Sequence, residues 1–367
     1  MPWPSVVLDR IGCAWLGLIW LGCCDLAIAE EESNLKVNGY LETYYQNDEN
    51  QPNNRKRPDF IYNHTRTNQV AINLALISAH FNTERWRANL GIASGDYMQA
   101  NYAAEPSALS HLFEANIGVK LAQEVDLWLD VGVMPSHIGF ESAIGANNWT
   151  LTRSLMAENS PYFETGAKLS YTTEDKKWFV SALLLNGWQR IQRANDNTTP
   201  AFGHQLTYRP SDRLTINSSS FIGNDKSDRD RQMRYFHNLY AQMTIDDAWD
   251  VIAGLDVGIE QSARNSSAYH RWYSPIVILK YQYNPRLSVA ARVERYRDKH
   301  GVIIVTDTPN GFDVQGVSVN ANIQLTPQSM WRLELKHFTS QDKLFRQGAN
   351  RRDDESVSVT TALTFGF

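Results

Sequence analysis

Two sets of polar side chains in this 367-residue sequence could act on a small molecule. The first lies in the connection from Pro135 to Pro161, which is too long for an idle hairpin and rich in small, polar and aromatic residues. It offers His137, Glu141, Asn147, Asn148, Arg153 and Glu158. The second set is scattered along the chain: Lys36, Glu42, Arg87, Glu114, Lys120, Asp130, Glu164, Lys168, Asp250, Asp256, Lys280, Arg292, Glu294, Arg332, Glu334 and Lys336. Carboxylates, ammonium and guanidinium groups and amides of this kind can exchange hydrogen bonds and charge with a hydrated solute. Covalent chemistry finds little support. The nine histidines form no H-E-x-x-H or other metal spacing, and neither a G-x-S-x-G elbow nor a G-x-x-x-x-G-K-S/T phosphate loop occurs. We therefore expect no enzyme, no metal and no cofactor.

The segments that carry the second set are strands. Phe113, Ala115, Ile117, Val119 and Leu121 alternate with Glu114, Asn116, Gly118 and Lys120, and Leu333 and Leu335 alternate with Arg332, Glu334 and Lys336. A period of two puts the two kinds of residue on opposite sheet faces. Val70, Ile72, Leu74 and Leu76 read in the same way as one apolar face. A dry core could not hold so many charges, whereas a water-filled interior holds them at little cost. The alternative is that many pair across neighbouring strands as a structural ladder.

From Leu35 onward, alternating strands of about ten residues are joined by short polar turns and longer polar loops in turn. The short turns are NTER (82–85), AQEV (122–125), TEDKK (173–177), RPSD (209–212), DDA (246–248), NPR (284–286) and TPQS (326–329). Eight longer connections lie between them, so about sixteen strands are expected. Trp86, Trp178, Trp249 and Trp331 fall beside short turns, and Tyr171, Tyr208, Tyr281 and Phe365 lie near the same rim. That is the layout of an aromatic girdle at a membrane interface. The chain's last stretch, SVSVTTALTFGF, alternates to its final residue, as a last strand paired with the first would require. The expected fold is all-β: a transmembrane antiparallel barrel of about 16 strands with short periplasmic turns and long extracellular loops.

The first 29 residues read differently. Ile11 to Cys24 is apolar and precedes Ala27-Ile28-Ala29, an A-x-A cleavage pattern. Residues 1–29 are read as a signal peptide for export, and residues 30–367 as one outer-membrane barrel. All three cysteines, Cys13, Cys23 and Cys24, fall in the signal, which leaves no disulfide framework or thiol chemistry beyond it. The formal charge of −5 supplies no basic excess for nucleic acid, and the mean hydropathy of −0.42 does not suit a helical membrane protein.

GVMPSHIGFES, NNWTLTRSLM and YFETGAKLSY, from Gly132 to Tyr171, resemble the OmpL-like β-barrel porin family. Its members tend to show G-x-x-x-x-x-x-G-x-E, then an N-W or N-F pair with S-R-S or a variant, then T-G-x-x-L-x-Y. Here TRS stands where SRS is frequent, and Arg153 is kept. The resemblance runs from NGYLETYY near Gly39 to the terminal TFGF. It implies a channel for passive diffusion of small hydrophilic solutes or ions. On that reading His137, Glu141, Asn147, Asn148, Arg153, Glu158, Glu164, Lys168, Arg292, Glu294 and Arg332 are the candidates to line the pore or its constriction. Near-balanced charge predicts weak ion selectivity. The expected partners are outer-membrane lipid and the solutes, with a homotrimer as an option. The alternative reading is a structural sheath that houses a partner protein. Whether the 135–161 loop folds inward or stays outside as a solvated loop is open at this level.

Overall fold

The computed structural model describes residues 34–367, so the signal segment read at 1–29 lies outside the described residues. The chain forms β1 (Leu35–Asp48), β2 (Val70–Asn82), β3 (Trp86–Ser94), β4 (Leu112–Lys120), β5 (Asp126–Pro135), β6 (Phe163–Thr172), β7 (Trp178–Leu185) and β8 (Ala201–Ser211). It continues with β9 (Leu214–Gly223), β10 (Arg234–Thr244), β11 (Trp249–Gln261), β12 (Tyr269–Asn284), β13 (Leu287–Asp298), β14 (Phe312–Thr326) and β15 (Ser329–Ser340). A small hairpin, β16 (Phe345–Gln347) with β17 (Arg351–Asp353), decorates the last long loop before β18 (Glu355–Gly366). Two short helices, α1 (Asp96–Asn101) and α2 (Leu155–Glu158), lie in loops. Among the described residues no helix is long and apolar enough to cross a membrane.

β1–β15 and β18 close into one antiparallel barrel of 16 strands, each paired with its sequence neighbour. The seam joins β18 to β1, and beyond the last printed strand residue the backbone of Phe367 still exchanges two hydrogen bonds with Gly39, 2.9 and 3.1 Å. Closure satisfies the backbone of every strand on both sides, which is the condition for a sheet to stand in hydrocarbon.

The barrel is apolar outside and polar inside. Ile77, Leu90, Ile117, Val293, Val319 and Leu335 are more than half exposed on the outer wall. Glu42, Asn217, Asn238, Arg332 and Glu334 are completely buried on the inner one. Trp178 stacks on Tyr208 with ring centroids 4.1 Å apart, and Trp249 meets Tyr281 at 4.7 Å, both at the short-turn rim. The aromatic girdle expected from the sequence is therefore assembled by cross-strand pairs.

Two alternations differ from the sequence reading. The β3–β4 register skips Phe113 at Gly91/Ile92, so Phe113 packs against Tyr97 and borders the same cavity as Glu114. The second is in β2, which changes facing part-way. Val70 and Ile72 face outward, but Leu74 and Leu76 are buried inside. The β1–β2 register skips Asn73 between Glu42/Thr43, and this bulge reverses the facing of everything after it. Asn73 is itself buried and accepts from His64 N at 2.9 Å.

Candidate functional site

The long connection after β5 folds into the barrel. It leaves just after Gly132, whose φ of 133° suits glycine, since a Cβ there would strike the backbone of Ala115. Gly139, φ 83°, makes a second such turn and donates its N–H to Asn238 Oδ1 on β10, 3.3 Å. Glu141 then accepts from the Ser154 backbone at 3.2 Å and from its hydroxyl, while Ser154 Oγ caps α2 by accepting from Ala157 N.

From there the loop reaches β13–β15 and β1. β13 lies opposite β5 in the ring of sixteen, so the loop spans the lumen from wall to wall. The far wall holds it by charge-assisted hydrogen bonds, nearly all to its backbone. Arg292 donates to Thr152 O at 2.7 Å and Thr150 Oγ1 at 2.8 Å. Glu334 accepts from Thr152 N at 2.5 Å and Glu294 from Leu155 N at 2.5 Å. Arg332 donates to Gly145 O and Asn148 O, 2.7 and 2.8 Å, and Lys336 to Arg153 O, 2.9 Å. Arg292 also contacts Glu334 at 2.9 Å and Glu294 at 3.3 Å, so these wall charges neutralise one another.

The other end of the loop is fixed by His137. Its Nδ1 lies 2.6 Å from Glu164 and its Nε2 2.8 Å from the Ser220 carbonyl. The Ser220 carbonyl accepts from Nε2, and Nδ1 shares a hydrogen bond with the Glu164 carboxyl. Burial opposes a charge on the imidazole, but the Glu164 carboxylate outweighs it and the His137 pKa is raised. A loop from the β1–β2 side lies across this structure. Tyr62 N and Asn63 Nδ2 donate to Glu158 at 2.7 and 3.2 Å, and His64 Nε2 meets Glu42 at 2.6 Å.

The sequence candidates therefore divide by position. Arg153, Glu158, Glu164, Arg292, Glu294 and Arg332 are buried in the fastening network, as is His137, and none borders a described cavity. Their placement differs from the aqueous-lumen expectation because the loop's own carbonyls and amides take the place of water. Glu141, Asn147 and Asn148 border a pocket of about 90 Å³ beneath the loop, and Lys168 borders a larger one.

A cavity of about 500 Å³ lies among the outer loops, with Asp59, Asp307, Arg346 and Arg352 in its wall, and further open space runs within the barrel along β2–β7, on the near side of the loop. A cavity of about 390 Å³ includes Ser78, His80, Glu114 and Glu141 in its wall, and another of about 340 Å³ includes Arg87, Asn89, Glu114, Asn116, Asp126, Asp130 and Lys168. Glu114 and Pro135 border both. The polar track is internally bonded: His80 Nδ1 to Asn89 Oδ1 at 2.8 Å, Asn89 Nδ2 to Asn116 Oδ1 at 2.7 Å, and Arg87 Nε to Asp130 Oδ1 at 2.6 Å. Arg87 also lies over the Trp128 ring, 4.3 Å from its centroid. His80, Asn89, Asn116 and Trp128 were not singled out by the sequence reading. Their signal was present in strand parity, but nothing in the sequence says which side of the lumen the loop leaves open.

A family model described as "Putative beta-barrel porin-2, OmpL-like" matches residues 34–367. The chain belongs to this family. It is an outer-membrane β-barrel of the porin type, a channel for passive diffusion, and family and fold are those of a channel rather than an enzyme. Solved porins share the architecture at low identity. An anion-selective porin from Comamonas acidovorans superposes with a TM-score of 0.60 at 8% identity, covering 91% of this chain and 99% of that one. The outer membrane channel DcaP of Acinetobacter baumannii gives 0.56 at 9%, covering 91% and 97%. The trimer form of Vibrio cholerae OmpT gives 0.56 at 9%, covering 91% and 99%. Among curated proteins none matches the sequence. The family's motif residues now have physical roles: Gly132 lets β5 pack against the Ala115 backbone, Gly139 turns the loop, Glu141 holds Ser154, and Thr152 Oγ1 bonds Glu334 at 3.0 Å.

Proposed function

We propose that this porin-type barrel is a narrow channel for small hydrophilic solutes and ions, with a mild preference for cations. The carrying observation is the loop fastened to the far wall, beside which two cavities of about 390 and 340 Å³ remain along β2–β7. Along that side four carboxylates (Glu114, Asp126, Asp130 and Glu141) face two fixed cations (Arg87 and Lys168), and the His80 imidazole lies 3.8 Å from Glu114. Arg87 and Asp130 cancel as a pair, so Glu114, where the two cavities meet, carries the preference. A barrel that houses a protein partner would need an empty lumen, and here loops occupy it. We also propose a homotrimer, by analogy with the trimer form of OmpT.

Single-channel recording in planar bilayers tests the reading, with the reversal potential taken across a salt gradient. Small, stable open steps with modest cation preference are expected, and Glu114→Gln should move the reversal potential toward zero. A verified folded barrel that stays silent would overturn the channel route, and an unmoved reversal potential would remove Glu114 from it.

A further inference from the structure

The outer wall of β8–β10 carries a polar cluster inside its apolar band. His204 on β8, Ser218 and Ser220 on β9 and His237 on β10 all point outward, and both histidines are exposed. Ser220 Oγ lies 2.5 Å from His204 Nδ1, Ser218 Oγ 3.3 Å from His204 Nε2, and Ser218 Oγ 2.9 Å from His237 Nε2. The two imidazoles stand 6.1 Å apart. Apolar residues bracket the cluster along each strand: Phe202 and Leu206 on β8, Ile216 and Ile222 on β9, Tyr235 and Leu239 on β10. It therefore lies within the membrane, not at a headgroup rim.

Lipid chains offer no hydrogen bonds, so ionisable and hydroxyl groups at this depth call for a protein neighbour. The internal bonds satisfy much of the cluster, but His237 Nδ1 has no hydrogen-bond partner among the described residues. Ala182 on β7 stands directly across from His204 on the same face, and such a small side chain lets a neighbouring wall approach closely. Imidazole and hydroxyl groups each donate and accept, so the cluster is complementary to a copy of itself. In a cyclic trimer two different edges of the wall meet at each contact, and identical groups come together only where the wall faces the axis.

We propose that the outer wall of β8–β10 is the contact face between copies of this chain, with the His204–Ser218–Ser220–His237 cluster near the symmetry axis. This rests on the homo-oligomer reading above and names the surface that makes it.

Because every cysteine falls within the first 24 residues, a single introduced thiol reports cleanly on contact. Leu206→Cys places it beside the cluster, and Val293→Cys places one on β13, an outer wall well away from it. Oxidative cross-linking in outer-membrane preparations should give a two-barrel product for Leu206→Cys and none for Val293→Cys. In a cysteine-free background, replacing both His204 and His237 by Leu should keep the barrel folded, shown by heat-modifiable mobility, and lose the oligomer in light scattering. The proposal is overturned if Leu206→Cys stays uncross-linked, if it links only to a different protein, if Val293→Cys links equally, or if the double-Leu oligomer persists. Conductance of the same preparations separates the two readings. A monomer that conducts sinks this interface and keeps the channel, whereas a silent, cross-linked oligomer does the reverse.

Discussion

Arg292 on β13 and Thr152, in the loop that leaves β5 on the opposite wall, meet at 2.7 Å through a guanidinium-to-carbonyl hydrogen bond. The contact makes the loop a strut across the barrel. It is held by buried charges that the strands contribute and by backbone groups that the loop contributes, so neither is satisfied without the other.

Replacing Arg292 by Leu tests the strut directly. Glu294 and Glu334 would lose their shared cation while still buried, which costs about 3–5 kcal/mol when one partner of such a set is removed. The loop should release before the wall does, because the wall keeps its closed backbone ladder. The expected outcome is a lower unfolding midpoint together with larger and noisier conductance steps. A less stable barrel with unchanged conductance would mean that the loop does not set the constriction.

Acidity should tighten the loops. Burial pushes the Glu158 carboxyl up to about 7, against the pull of its bonds from Tyr62 and Asn63. An unfolded or undocked glutamate titrates near ~4.3. Docking through Glu158 is therefore at full strength below that value, weakens as pH rises toward 7, and levels off above. His137 acts in the same direction: its raised pKa gives stability that is complete below the ordinary histidine value of ~6.5 and is lost as pH rises through the folded value. Protection of the Tyr62 amide against hydrogen exchange should fall between pH 5 and pH 8 in the native barrel. Glu158→Gln should flatten the acid side of that fall, and an identical profile in the variant would refute the assignment.

The barrel was legible because its signals are local and repeated. Seven short turns, eight long connections and strand parity each follow from neighbouring residues, and the Trp and Tyr positions mark the rim without any knowledge of the third dimension. The bulge at Asn73 was not legible, since Val70 to Leu76 alternates without a break in the sequence. The site was legible only in part. Arg292, Arg332, Glu141 and Arg153 were named as candidates for the pore or its constriction, and whether the loop that carries Glu141 and Arg153 folds inward was left open. Whether Arg292 and Arg332 meet water or a loop carbonyl depends on contacts across 140 and 187 residues, to Thr152 and Gly145. No period or motif encodes such a distance. The open track along β2–β7 was invisible for the same reason, because it is defined by where the loop is not.

Gly118 offers a way to close that track. It sits on β4 between Arg87 on β3 and Asp130 on β5, and the two side chains join over it. A Cβ at this position would come within 2.8 Å of Arg87 Cγ and would strike the Asp130 carboxylate. Gly118→Val should therefore push the ion pair toward the cavity of about 340 Å³ and reduce unit conductance. The outer wall is untouched, so membrane insertion should be normal. Unchanged conductance in a folded Gly118→Val barrel would place the solute path elsewhere.

The seam between the first and last strands gives a prediction for folding alone. Phe367 covers Gly39, and a Cβ on Gly39 would meet the phenyl ring, with Cδ1 at 3.1 Å and two ring carbons nearer still. Gly366 next to it has open surroundings, its nearest atom being 3.5 Å from an added Cβ. Both glycines lie in the same ladder, so any loss of strand entropy or propensity is shared and the difference isolates the ring. Gly39→Ala should swing the exposed Phe367 ring off the seam and cost about 1 kcal/mol, the low end of the range for overpacking. Gly366→Ala should stay within about 0.5 kcal/mol of the parent, as open sites do. Urea unfolding of the barrel in vesicles measures both. Equal midpoints for the two variants would show that Phe367 does not guard the closure, and that the backbone bonds to Gly39 suffice.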